Sequence, residues 1–494
     1  MNDAMIRDIV EQVMSQLGGG TSVVTPKRSR QEVAAPSPAA KPAPSMIVRG
    51  GNKGVFADPA KACEAAHQAH LKLREAGLAA RKKVVDIVKT LSTQNAEEWG
   101  RIELDETKIG RLDHKIEKLQ IVKLVPGVEW LRPDGRSGDH GITLEEYTPF
   151  GVIAAVTPST HSIPTLSGNV INMVAAGNAV VFNTHPSATQ CAKVAVNAYN
   201  DAIERETGIA NLVCMIETPT VESFTGICTH ALTRLICVTG GPGVVAAAMK
   251  TGKRAICAGP GNPPVVVAED ACPTLAAQKI ILGASYDNNL LCTGEKEVFV
   301  VDSMADALMA AMEKNGAVRL NAAQIDKLTK EVFTFKEGEG VGCAHATLNK
   351  KFVGMDAAQL AKAAGVNVSS GIQLLFGETN LQHAFVQEEQ MTPFLPIVRV
   401  RDVDQAIEYS LQAEHNFRHT SMIHTHNVNY MTKMARAMDT TIFVKNGPCM
   451  AGLGLGGEGY LSYTVATPTG EGVTNPRTFT RTRRCVMVDN LRIY

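Results

Sequence analysis

The sequence predicts an α/β protein built on a doubly wound parallel sheet. Three observations carry this: strand-helix-strand units repeat from Val152 onward, their strands are apolar throughout, and a glycine turn follows one of them. Residues 152–156 are wholly apolar, as a strand covered on both faces must be. Residues 158–161 form a turn, and 164–176 read as a helix stopped by Gly177 and Asn178. The next strand, 179–182, leads into His185-Pro186. A helix over 188–206 precedes a strand over 212–216, and the strand 235–238 runs into Thr239-Gly240-Gly241-Pro242-Gly243. Sheets of this kind take ligands beyond the carboxyl ends of their strands. Gly241, Gly243 and Ala246 fit a G-x-G-x-x-A spacing that opens a helix after a strand. No acidic residue stands about 20 positions on to hold a ribose, so turn glycines without a ligand remain the alternative.

The flanking regions follow from composition. In residues 1–18, Ile6, Ile9, Val10, Val13, Met14 and Leu17 share one face of a helix, opposite Arg7, Asp8, Glu11, Gln12 and Gln16. Residues 19–45 are rich in Pro, Ala and Ser and form a linker. A helix this short needs a surface to cover its apolar stripe, and on a flexible tether it predicts a docking tag rather than a self-packed helix. Mixed charge on its polar face argues against a membrane surface. A first domain is expected at 46–265, with a hairpin near 131–148 serving an oligomer contact, and a second α/β domain at 266–460. Residues 461–494 return to the first domain and add an oligomerisation strand of alternating basic and apolar residues.

Forty-nine basic and 49 acidic residues balance, which removes the electrostatic signature of a nucleic-acid partner. No apolar run reaches the roughly 18 residues of a membrane span, and no secretory leader is visible. Eleven scattered cysteines without CxxC spacing fit free thiols in a reducing cytosol.

One cysteine stands apart. Residues 283–295, G-A-S-Y-D-N-N-L-L-C-T-G-E, bring the turn formers Asp287, Asn288 and Asn289 into two leucines and then Cys292, before an apolar strand. A thiol at a loop-to-strand transition faces a cleft and is a candidate nucleophile; the alternative is a buried structural cysteine. Cys449, after another turn, is the second candidate. His161 is either a base near the cleft or a solvent-facing loop residue. His415, His419, His424 and His426 have no cysteine or acid at ligand spacing, so no metal is expected.

The motifs TPST at 157–160, AAGN at 175–178, HP at 185–186, VTGG at 238–241, GNPP at 261–264, ASYDNN before Cys292, FVKNGP at 443–448, GLGGEG at 454–459 and TPTGEG at 467–472 occur in one collinear set. That set resembles the CoA-acylating aldehyde dehydrogenases of bacterial microcompartments, from about Val55 to the C-terminus. The resemblance implies the aldehyde dehydrogenase fold: a Rossmann-like NAD domain that also binds CoA, an α/β catalytic domain and a β oligomerisation flap. It implies oxidation of acetaldehyde or propionaldehyde with NAD and CoA, through a thiohemiacetal and a thioester on Cys292. The backbone N–H of Cys292 would be the oxyanion donor, with Thr160 on the oxyanion side where hydrolytic relatives place an asparagine. Thr157, Pro158, Ser159, His185, Pro186, Thr239, Gly240, Gly241, Gly259 and Glu389 would bind the cofactor. Glu389 aligns with a nicotinamide-ribose glutamate, the alternative being a solvated carboxylate, and Asn183 replaces a ribose-binding lysine. The same resemblance makes residues 1–18 an encapsulation peptide for shell or core proteins, the protein a homo-oligomer (dimer or tetramer), and its place a microcompartment lumen in the bacterial cytoplasm.

One departure is informative. Hydrolytic relatives carry a glutamate base in the turn that here reads Cys257-Ala258-Gly259-Pro260, and this turn has no carboxylate. Without a base to activate water, a thioester awaits a better nucleophile, the CoA thiol. A hydrolytic aldehyde dehydrogenase giving a free acid, and a non-catalytic microcompartment scaffold, are the alternatives.

Overall fold

The computed structural model describes residues 53–335 and 346–489. The helix at 1–18 and the linker at 19–45 lie outside the described residues. Two large parallel sheets and a three-stranded antiparallel sheet organise the described residues, alongside two small two-stranded antiparallel ones. The first sheet runs Val55–Phe56, Val213–Ile216, Ala179–Thr184, Val152–Thr157, Thr233–Thr239, Ala255–Ala258, all parallel. Its order winds outward in both directions from Val152–Thr157, so the change of direction falls between that strand and Thr233–Thr239. Both Val152–Thr157 and Ala179–Thr184 are buried at every position, because helices cover both faces.

Two helices do most of the covering. Ser162–Ala175 is buried along its entire length, including the polar stripe of Ser162, Thr165, Asn169 and Asn172. Pro59–Gln94 is kinked at Gly77, whose φ of 74° a glycine adopts without strain, and so reads as two helices in sequence. The chain leaves the first sheet after Ala258 and enters the second at Pro264. The second sheet orders Val318–Arg319, Leu375–Glu378, Phe394–Val400, Glu297–Val301, Pro264–Val267, Thr420–His424 and Ile442–Lys445, again all parallel. The central strands Pro264–Val267 and Glu297–Val301 pair directly, so the turn at Gly261 and the segment that carries Cys292 arrive side by side.

The third sheet is antiparallel: Asp134–Gly138, Gly141–Pro149 and Thr480–Val488. Its last strand carries exposed apolar residues, Val488 at 69% and Val486 at 54%. No helix among the described residues is long and apolar enough to cross a membrane.

Candidate active site

The helix Pro273–Ser285 delivers the chain into a loop of unusual backbone. Asp287, Asn288 and Asn289 are consecutive left-handed residues, with φ of 49°, 56° and 64°. Asx residues tolerate this region better than others, but each still costs about 1–3 kcal/mol unless its surroundings hold it there. All three side chains are held. The Asp287 carboxylate is paired with Lys118 and accepts the Arg111 N–H at 2.7 Å. Asn288 Nδ2 donates to Gly354 O and to Asp356 Oδ1, both at 2.9 Å. Asn289 Nδ2 donates to Ala284 O and Glu295 O, both at 2.8 Å.

Cys292 follows. It is half-buried, whereas Cys63, Cys191, Cys214, Cys228, Cys237, Cys257 and Cys449 are fully so. Burial pushes its thiol up to about 12, Glu389 adds to the rise, and Lys296 and Lys118 oppose it. Its own backbone N–H also favours the charged form. Cys449 is enclosed instead: its N–H is bonded to Glu295 Oε1 at 2.9 Å, and burial holds its thiol far above the usual range.

Gly261 forms the opposite wall. A Cβ there would stand 2.6 Å from Cys292 O and 2.9 Å from His419 Cγ, so the close approach requires glycine. Glu389 accepts the N–H of Gly261, and burial pushes its carboxyl up to about 6. It is therefore part of this wall, not a solvated surface carboxylate. His419 is fully buried; its Nδ1 meets Thr420 Oγ1 at 2.9 Å and its Nε2 has no partner. Burial and Lys296 lower its pKa to about 4, so the ring is neutral at physiological pH. In the sequence His419 stood only among four histidines without metal spacing. Its neighbour Gly261 in the GNPP turn was the available signal. Among the described residues no group of three His, Cys, Asp or Glu converges as a metal site would need.

The residues expected to hold a cofactor share one edge. Strand register places Thr157 beside Thr184, and Thr239 beside Ala258, so Pro158, Ser159, His185, Pro186, Gly240, Gly241 and Gly259 all follow neighbouring carboxyl ends. This edge spans the point where the strand order changes direction. The helix Pro242–Met249 opens there, and a Cβ on Gly241 or Gly243 would meet no protein atom within 4 Å. That free space beside backbone N–H groups fits a dinucleotide phosphate. Asn183 is engaged elsewhere: its Oδ1 accepts from Ser223 Oγ at 2.6 Å.

His161 is 5% exposed, its Nδ1 has no partner, and burial lowers its pKa to about 3, so the solvent-facing alternative does not hold. Thr160, partly exposed, immediately precedes it. Glu103 ties this region down. Its Oε2 accepts the Ile163 N–H at 3.0 Å, at the positive end of the helix Ser162–Ala175, while Oε1 pairs with Lys115 at 2.9 Å. The turn from Cys257 to Pro260 packs on the C-terminal return, with the Cys257 N–H on Thr469 Oγ1 at 2.9 Å.

A doubly wound sheet with an open strand-end edge defines an α/β enzyme of the nucleotide-binding type, and its half-buried thiol lies on a restrained loop beside Gly261. The chain belongs to the aldehyde dehydrogenase family, whose profile matches residues 30–330. It is 45% identical over 442 residues to the acetaldehyde dehydrogenase (acetylating) EutE of Salmonella typhimurium, covering 89% of this chain and 93% of the relative. Among solved structures it is similar to a Rhodopseudomonas palustris propionaldehyde dehydrogenase with bound CoA and an acylated cysteine. That match has a TM-score of 0.85 and 42% identity, and covers 90% of this chain and 100% of the other. A propionaldehyde dehydrogenase from the Clostridium phytofermentans fucose utilisation bacterial microcompartment superposes with a TM-score of 0.86 at 42% identity, covering 89% and 100%.

Proposed function

We propose that the protein oxidises a short-chain aldehyde, acetaldehyde or propionaldehyde, with NAD and CoA to give acyl-CoA and NADH. The observation that carries this is the turn leading into Gly261: it touches the nucleophile loop yet holds no carboxylate, from Cys257 through Pro260. Cys292 Sγ bonds to the aldehyde carbon, and the oxygen takes the N–H of Cys292, with Thr160 on the same side. Bound NAD supplies the acceptor for the hydride that leaves this carbon. Thr157, Pro158, Ser159, His185, Pro186, Thr239, Gly240, Gly241 and Gly259 hold the dinucleotide along the strand ends, with Glu389 at the nicotinamide end. His419, neutral and with Nε2 free, is able to take a thiol proton beside Gly261. The acyl group on Cys292 then passes to the CoA thiol.

The deciding experiment measures NADH formation and thioester product for acetaldehyde and propionaldehyde, each with and without CoA. CoA-dependent NADH with a thioester product is expected; equal NADH without CoA refutes acyl transfer. Residues 1–18 act as an encapsulation tag for a bacterial microcompartment, supported by the amphipathic spacing of their sequence and by the compartment origin of a structural relative. Encapsulation of a chain lacking 1–18 at the full-length level would remove that role. The domains are taken as 46–265 for NAD and CoA, 266–460 for catalysis and 461–494 for the oligomerising return. The exposed three-stranded flap supports a homo-oligomer, because such a sheet needs a covering partner. A monomer by light scattering would contradict it.

A further inference from the structure

Lys296 lies four residues beyond the nucleophile and is 0% exposed. Burying an ammonium costs several kcal/mol unless hydrogen bonds and an opposite charge compensate it. Its hydrogen bonds come from the nucleophile loop itself: Nζ donates to Asn289 O at 2.8 Å and to Asn289 Oδ1. Its backbone is pinned as well, the N–H to Pro263 O at 3.1 Å and the carbonyl by Gln390 Nε2 at 2.8 Å. No carboxylate among the described residues lies within 4.0 Å of Nζ. The other buried lysines near the site differ in this respect. Lys118 is paired with Asp287 and Lys115 with Glu103.

Burial lowers the Lys296 pKa, and the acidic groups that oppose this and favour its charged form are Glu389, Cys292, Cys449 and Glu297. Glu297 is buried with both carboxyl oxygens unpartnered, and burial holds its carboxyl well above the usual range, as it does the Cys449 thiol. Glu295, beside them, is pushed up to about 7 and bonds to the Cys449 N–H. Glu389 has the Gly261 N–H. Facing Cys292 from the surrounding elements are Glu389, Lys118 with its partner Asp287, Lys296, and the neutral His419 across Gly261. Lys296 is the cation among these without an ion-pair partner, and Cys292 is the acid whose charged form the chemistry needs.

We propose that Lys296 is a positioning residue that presents a fixed, unpaired positive charge to the Cys292 sulfur whenever that sulfur is negatively charged. The inference rests on the nucleophilic role of Cys292 proposed above. That condition arises twice: when the thiolate attacks the aldehyde, and when the acyl group leaves. In the second step the CoA thiol has given its proton to solvent, its sulfur forms the new C–S bond, the bond to Cys292 Sγ breaks, and the electron pair stays on Sγ. Asn289 orients the ammonium without neutralising it, which a carboxylate partner would do.

The test is alkylation of Cys292 by iodoacetamide, which needs neither aldehyde, NAD nor CoA and so stands apart from the overall reaction. Full-length wild type, Lys296→Met and Lys296→Arg are labelled from pH 6 to 10, with the Cys292 peptide quantified by mass spectrometry to separate it from exposed Cys272 and Cys485. Lys296→Met is expected to slow labelling about tenfold throughout this range, the equivalent of a thiol pKa about one unit higher, with Lys296→Arg near wild type. An unchanged labelling rate in folded Lys296→Met overturns the proposal, as does Lys296→Arg matching Lys296→Met, which would make the role one of loop packing. Lys296→Gln, judged by the same two results, replaces Met if that chain does not fold. Labelling that shifts as expected while the CoA-dependent reaction is absent would refute the proposed function and leave the Lys296–Cys292 coupling standing.

Discussion

Replacing Gly261 with alanine isolates the geometry of the nucleophile from its chemistry. The backbone of Gly261 is not in the left-handed region, so alanine adds no conformational strain there; its whole effect is the new Cβ. That atom would lie 2.6 Å from Cys292 O, where ordinary contact begins at 3.4 Å, and 2.9 Å from His419 Cγ. Relief requires the loop to retreat by about 0.8 Å, and displacements near 1 Å at a reacting group cost up to about a hundredfold in rate. Overpacking of this size destabilises by about 1–3 kcal/mol. Gly261→Ala is expected to lose tenfold to a hundredfold in kcat, with KM for NAD near wild type because the strand-end edge is untouched. Steady-state NADH formation measures the first, and urea unfolding the second. Wild-type kcat in a chain of wild-type stability would show that Cys292 and Gly261 do not constrain each other.

Other substitutions probe separate parts of the site. Cys292→Ala should abolish turnover while leaving NAD binding by fluorescence and the unfolding midpoint intact; residual turnover near wild type would move the nucleophile elsewhere. Gly243→Ala meets nothing within 4 Å and is expected to stabilise the free protein by about 0.4–1 kcal/mol while raising KM for NAD; an unchanged KM would place the dinucleotide away from this helix. Lys118→Met leaves Asp287 buried and unpaired, so unfolding in urea should show a loss of about 3–5 kcal/mol, against little change if the pair were dispensable. Glu295 has its pKa raised from 4.5 to about 7 by burial, so its contribution to stability is complete below pH 4.5 and is lost as pH rises through 7. The loss is about 3 kcal/mol, and Glu295→Gln should flatten the stability profile over that window; an unaltered profile would assign the dependence to another group.

Much of this was legible because residue chemistry and backbone geometry coincide. Asp287, Asn288 and Asn289 announce a left-handed turn by their side chains, and the apolar segments beginning at Val152 and Ala179 admit only a doubly covered sheet. The nucleophile loop and the strand-end edge follow from those elements. What escaped is long-range. Leu375–Glu378, Thr420–His424 and Ile442–Lys445 are short strands whose identity comes from pairing with distant neighbours. Lys296 sits in E-K-E, a triplet that reads as a solvated surface. Yet Glu295, Lys296 and Glu297 are all buried, and the hint was the wholly apolar strand into which they feed. His161 is open in the sequence between a cleft position and a solvent-facing one, and only packing with the distant Tyr463 removes the second.

The restraints on Asp287–Asn289 come from three stretches far apart in the chain: Arg111 and Lys118, Gly354 and Asp356, and the segment that ends at Lys296. None of them alone can hold the strained loop. A nascent or partly unfolded chain that has lost one stretch therefore carries an ordinary cysteine, without the backbone donor and ammonium arranged around it. The arrangement around the thiol is thus conditional on the three stretches coming together.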